Sequence, residues 1–141
     1  MATQRIAHTV WEGSLGEGRG TITFGSSGIP DQPVTWASRA EKAEGRTSPE
    51  ELIAAAHSSC FSMALSHALS EAGTPPARLT TAAEVAFQPG TGITGIHLSV
   101  EGDVPGLDAD RFQAAAEDAK ANCPVSQALT GTTITLTATY V

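Results

Sequence analysis

Charge is scarce in this chain. Of its 141 residues only 16% are Asp, Glu, Lys or Arg, against roughly 25% in an ordinary globular domain. Apolar types still make up 40%, so the deficit does not signal disorder, which combines low hydrophobicity with a high charge density. It leaves too little charge to coat a free monomer and points to a surface hidden in an oligomer. Positive charge is scarcer still. With 8 Lys and Arg against 15 Asp and Glu, a net charge of −7, neither a nucleic acid nor an anionic membrane is the expected partner. Two cysteines, Cys60 and Cys123, are too few for a disulfide scaffold or a four-cysteine zinc ribbon. No run approaches 18 apolar residues, so no bilayer span is expected. No apolar stretch of the signal-peptide kind follows Met1-Ala2-Thr3-Gln4-Arg5, and the expected compartment is the cytoplasm, where thiols stay reduced. Internal repeats are missing, as are the GxGxxG, Walker, HExxH and CxxC spacings. At this length a single domain over residues 1–141 is expected, with a core of useful size.

What is present reads as α+β in the order βββ-α-ββ-α-α-β. Near the N-terminus Ile6–Trp11 and Thr21–Phe24 alternate like strands, and Val34 and Trp36 predict a third over Pro33–Arg39. Short Gly-rich turns between them suggest an antiparallel meander. A long helix then has a clear start: Ser48 caps, Pro49 takes the first helical position and Glu51 the third. It stops at Gly73, ahead of Pro75 and Pro76, so Pro49–Ala72 is about 36 Å long. Between Leu52 and Leu69 it carries no formal charge. An ordinary surface helix has one polar face, and here even that face is Ala, Ser and His, which predicts burial on most sides. Strands over Thr80–Gln88 and Gly92–Glu101 follow, then a helix over Ala109–Asn122 capped by Asp108. Pro124 begins a short helix through Leu129, and a last strand spans Thr132–Val141.

Cys123 immediately precedes Pro124, which makes it the N-cap of the short helix. There it faces unpaired backbone N–H groups and the positive end of the helix dipole, which lower a thiol pKa toward the reactive thiolate. Cys60 sits mid-helix in an uncharged run and needs a cation brought to it by the fold. Either thiol could equally be a small buried hydrophobe. His57, Cys60 and His67 can share a helix face, but a metal site needs a further ligand, and no metal is expected. A Cys60–His57 dyad is disfavoured, because a helix holds side chains at that spacing roughly parallel. Arg39, taken singly, reads as a surface residue. Glu50 and Glu51 occupy the first helical turn, where acids are stabilised by the dipole.

The run Ser48-Pro49-Glu50-Glu51-Leu52-Ile53-Ala54-Ala55-Ala56-His57, continued by Ser58-Ser59-Cys60-Phe61-Ser62-Met63-Ala64-Leu65-Ser66, resembles the central helix of the OsmC/Ohr peroxidases, and is closest to the osmotically inducible (OsmC) branch. Asn122-Cys123-Pro124-Val125-Ser126-Gln127 resembles that family's second cysteine segment. His8-Thr9-Val10-Trp11-Glu12-Gly13, the Gly18–Thr21 turn and Val104–Asp108 also fit, so the resemblance covers nearly the whole chain. It implies antiparallel sheets packed on the long central helix and a thiol-dependent reduction of organic hydroperoxides, within the oxidative and hyperosmotic stress responses. By motif, Cys60 is the peroxidatic thiolate and Cys123 the resolving thiol. Arg39 matches the branch's arginine ahead of the helix, and Glu50 matches the acid of the Pro-Glu motif. Two departures stand out: Ala40 replaces a common aromatic, and 40–46 is polar. Arg19, in the first hairpin, is the rival arginine on the Ohr pattern.

The resemblance reverses the local ranking of the two thiols. It works physically if Arg39 supplies positive charge to Cys60 and Glu50 orients the guanidinium through paired hydrogen bonds. Ten residues of helix separate Glu50 from Cys60, about 15 Å along the axis, so Glu50 either misses the site or reaches it from a second subunit. An intertwined two-fold homodimer is therefore expected. No bound cofactor is expected. An external dithiol, of lipoyl type in at least one branch, reduces the Cys60–Cys123 disulfide. Phe61, Leu52 and Met63 are candidates to receive the organic tail of the substrate. The competing readings are a hydrophobic-ligand-binding protein and a thiol redox sensor.

Overall fold

The computed structural model describes residues 1–141, which form two compact units, Met1–Leu52 and Ile53–Val141. In the first unit β1 (His8–Glu12), β2 (Arg19–Thr23) and β3 (Gln32–Val34) form an antiparallel sheet in that order. The strand expected over Pro33–Arg39 ends early, and Trp36–Ala40 is instead a short helix, α1. The reason is local. Thr35 accepts from the Ser38 N–H, and Ser38 Oγ in turn accepts from the Thr35 N–H, both at 3.0 Å. This reciprocal cap satisfies the backbone donors a strand would have offered to a ladder. Ser38 Oγ also lies 2.8 Å from the Thr47 carbonyl, which ties α1 to the segment entering the next helix.

Helix α2 (Pro49–Glu71) begins in the first unit and continues into the second. Its start and end match the Ser-Pro and Gly73 signals. Within the single chain it is buried along one stripe. Phe61, Leu65 and Leu69, spaced at i, i+4 and i+8, are essentially fully buried, while Ala55, Ala56, Ser59, Met63 and His67 are exposed. One apolar stripe is enough to seat a helix on a core, and within this chain the uncharged opposite side faces outward. By length and composition α2 could cross a bilayer, but its stripe is spent inside the protein core.

In the second unit β4 (Arg78–Gln88) and β5 (Gly92–Asp103) form a long antiparallel hairpin, while β6 (Ile134–Tyr140) joins β5 in parallel. The all-antiparallel expectation fails here, because the return passes through α3 (Ala109–Asn122) and α4 (Pro124–Ala128), a crossover long enough to bring the chain back in the same direction. Leu98 and Val100 of β5 meet Phe61, Leu65 and Leu69 of α2 and Phe112, Ala116 and Ala119 of α3 in one core. Each large side chain so buried contributes about 1.5–3 kcal/mol. Gly102 is required by packing: a Cβ there would stand 2.3 Å from the Phe112 ring. Cys123, between α3 and α4, is part of this core.

Candidate active site

The expected site residues fall into two pairs. Arg39, in the last turn of α1, lies against Glu50, the second residue of α2. Arg39 Nε donates to both carboxylate oxygens, at 3.0 and 3.1 Å, and Nη2 donates to Oε2 at 2.9 Å. The Glu50 side chain is 7% exposed and that of Arg39 32%. A nearly buried carboxylate therefore fixes a partly exposed guanidinium through paired, charge-assisted hydrogen bonds, which makes its orientation directional. Arg19, the rival arginine, is exposed on β2 opposite Glu12.

Cys60 and Cys123 form the second pair. Both are free thiols; Cys60 is half-buried and Cys123 fully buried. Cys123 is indeed the N-cap of α4, its sulfur 3.4 Å from the Ser126 N–H and 3.5 Å from the Ser126 hydroxyl. The two thiols are close enough that each bears on the other's ionisation. Burial pushes the Cys60 thiol up; the Val125 N–H opposes this, and the neighbouring Cys123 adds to the rise. Burial also works against the Cys123 thiolate. There the Ser126 hydroxyl and N–H, the Cys60 thiol and the Val125 N–H outweigh it and hold Cys123 below the usual thiol range. The local ranking read from the cap position is thus the electrostatic one.

Behind Cys123 lies a contact the sequence did not show. His57, fully buried on α2, places Nε2 2.7 Å from Ser126 Oγ, and its Nδ1 has no hydrogen-bond partner. Burial lowers the His57 pKa. His57 therefore addresses Ser126, not Cys60. Ser126 was legible in outline: Cys-Pro-Val-Ser puts a hydroxyl at the third helical position, where side chains reach back to the cap. Nothing in the sequence joined it to a histidine 69 residues away. The suggested tail-binding residues divide: Phe61 is wholly in the core, Leu52 is half-buried, and only Met63 is broadly exposed. No group of three or more His, Cys, Asp or Glu side chains is gathered to hold a metal.

Residues 41–138, spanning the second half of the Arg39–Glu50 pair and both cysteines, match the family model described as OsmC-like protein. The chain belongs to the OsmC family. It is 47% identical to Peroxiredoxin OsmC of Escherichia coli (strain K12) over 132 residues, 92% of each chain. Among solved structures its fold is shared with the organic hydroperoxide resistance protein OsmC of Legionella pneumophila, with a TM-score of 0.71 and 22% identity over 99% of this chain and 98% of that one. OhrB of Bacillus subtilis has the same fold, with a TM-score of 0.65 and 24% identity over 96% and 98%. The sequence thus sides with the OsmC branch, while the fold is common to both.

Proposed function

We infer that this OsmC protein is a cysteine-based peroxidase that reduces organic hydroperoxides to alcohols. The observation that carries the reading is the neighbouring, electrostatically linked Cys60–Cys123 pair, one thiol half-buried and the other sealed. Only the half-buried sulfur is open to a peroxide, so Cys60 is the attacking group despite the better local stabilisation of Cys123. The Cys60 thiolate displaces alkoxide from the O–O bond, the alkoxide takes a proton and leaves as alcohol, and Cys60 becomes a sulfenic acid. Cys123 then attacks the Cys60 sulfur; the S–O bond breaks, hydroxide leaves and is protonated to water, and a disulfide remains. An external dithiol of lipoyl-like chemistry restores both thiols by exchange.

Cys60 needs a positive charge to carry the thiolate at neutral pH, and Arg39, fixed by Glu50, is the group suited to supply it. Ten residues of continuous helix separate Glu50 from Cys60, about 15 Å of rise. In our reading a second copy of the chain therefore delivers Arg39 and Glu50 to Cys60. The homodimer hides the uncharged outer side of α2, and the working compartment is the reducing cytoplasm.

The test follows peroxide consumption with cumene hydroperoxide and excess dithiol. Cys60→Ser should abolish turnover. Cys123→Ser should complete about one turnover and then over-oxidise at Cys60; multi-turnover activity in Cys60→Ser would sink the assignment. Mixing Arg39→Met chains with Cys60→Ser chains, each inactive alone, should restore activity if Arg39 acts across the interface. No recovery after subunit exchange, in the presence of a dimer by light scattering, would place Arg39 within its own chain.

A further inference from the structure

The orphaned Nδ1 of His57 decides which way a buried hydrogen-bond chain runs. A proton on Nδ1 would leave a buried N–H with no acceptor, whereas a proton on Nε2 leaves only a bare lone pair, the less costly orphan. Burial disfavours the doubly protonated ring. His57 is thus neutral, and its Nε2–H donates to Ser126 Oγ at 2.7 Å. The serine oxygen is occupied as an acceptor, so its own O–H turns to Cys123 Sγ, 3.5 Å away and also met by the Ser126 N–H at 3.4 Å. Every donor in this chain ends on one sulfur.

We propose that His57 and Ser126 are positioning residues for the resolving thiol, a fixed donor chain that aims Cys123 Sγ and favours its thiolate at the moment the disulfide closes. The proposal rests on the reading of Cys60 as attacking and Cys123 as resolving sulfur. In the reduced protein the charge is contested between two neighbouring thiols. Oxidation of Cys60 to the sulfenic acid removes the competitor, and the donor chain then holds the negative charge on Cys123. The attack forms the S–S bond and breaks the S–O bond; the departing hydroxide takes a proton from solvent, and neither His57 nor Ser126 changes protonation. The other charged group near this end of α3, Lys120, is engaged by Glu117 and the Ile134 carbonyl, and α4 has no titratable side chain. His57 touches neither sulfur and acts only through Ser126.

Losing a donor raises the thiol pKa. Each unit cuts the thiolate population tenfold near or below that pKa, while nucleophilicity rises about threefold. Closure should therefore slow about three- to tenfold once aim is also lost. The experiment mixes the full-length reduced protein with one equivalent of cumene hydroperoxide, quenches at intervals in acid, and reads intact mass. Oxidation of Cys60 adds one oxygen, and closure then leaves the chain two hydrogens lighter than at the start. Ser126→Ala and His57→Leu should consume peroxide no more slowly than wild type, since the contested charge then favours Cys60, yet accumulate the oxygen adduct. His57→Gln, which keeps an N–H near the Nε2 position, should close at close to the wild-type rate. An unchanged closure rate in Ser126→Ala and His57→Leu would overturn the proposal. So would a parallel slowing of both steps that His57→Gln does not relieve, since that is the mark of a merely structural role. Peptide mapping of the adduct to Cys123 in the wild type would instead overturn the underlying assignment.

Discussion

Replacing Glu50 by glutamine removes one charge and one acceptor from a contact of otherwise unchanged shape. In the native pair two carboxylate oxygens receive three contacts from Arg39, at 2.9 to 3.1 Å. The glutamine amide keeps one oxygen and sets an NH2 against the remaining guanidinium donors, so at least one contact is lost and one becomes donor against donor. Hydrogen bonds to charged groups are worth about 1.5–3 kcal/mol each. With its side chain 32% exposed, Arg39 recovers part of this from water, and the stability cost falls to about 1 kcal/mol, or roughly 3–5 °C in Tm. Activity should suffer more, because Arg39 then samples orientations that no longer face the thiolate. A loss of about 1.4–2.7 kcal/mol of positioning is ten- to a hundredfold in kcat/KM. The assay is steady-state turnover of cumene hydroperoxide with saturating dithiol, alongside a thermal melt by circular dichroism. If Glu50→Gln keeps kcat/KM within twofold of wild type while Arg39→Met loses activity, Glu50 does not act by holding the guanidinium, and the argument from the pair geometry fails.

Because burial and Cys123 push the Cys60 thiol up, removing the cation should be felt as a pH effect. In single-turnover oxidation, Arg39→Met should need a higher pH than wild type to reach half its maximal rate; an unshifted profile would separate Arg39 from the Cys60 thiolate. His57, held neutral by burial, binds fewer protons folded than unfolded just below the unfolded pKa of about 6.5. Stability should therefore be full above that value and decline as pH falls below it, and urea midpoints for His57→Leu should lose that part of the decline. Gly102→Ala drives a methyl to 2.3 Å from Phe112 and should cost about 1–3 kcal/mol, read as a lower urea midpoint at unchanged slope, with Phe112→Leu restoring part of it. Thr35→Ala removes the cap of the helix that carries Arg39; it should cost about 1 kcal/mol and lower turnover several-fold, while the rate of disulfide closure stays the same.

The helices announce themselves in sequence where their signals are local. Ser48-Pro49 and Gly73 bound α2, Asp108 starts α3 and Cys123-Pro124 starts α4, because caps and proline act on neighbouring backbone groups. The same locality explains the miss at Trp36–Ala40: a Thr–Ser reciprocal cap has weak sequence contrast, and the Val34/Trp36 alternation competed with it. The direction of β6 was out of reach, since pairing in parallel depends on how the α3–α4 crossover packs.

The site divides along the same line. The residues themselves offered both cysteines and the dipole that favours Cys123, while the arginine and the glutamate came only from the family resemblance. Which groups touch was left to tertiary structure. Arg39 meets Glu50 because a capped turn of helix sets the guanidinium beside the start of α2. Cys123 is sealed in the core between α3 and α4, while Cys60, midway along α2, stays half-open. His57 reaches Ser126 across 69 residues of chain only through core packing, and no local pattern encodes a hydrogen bond of that span.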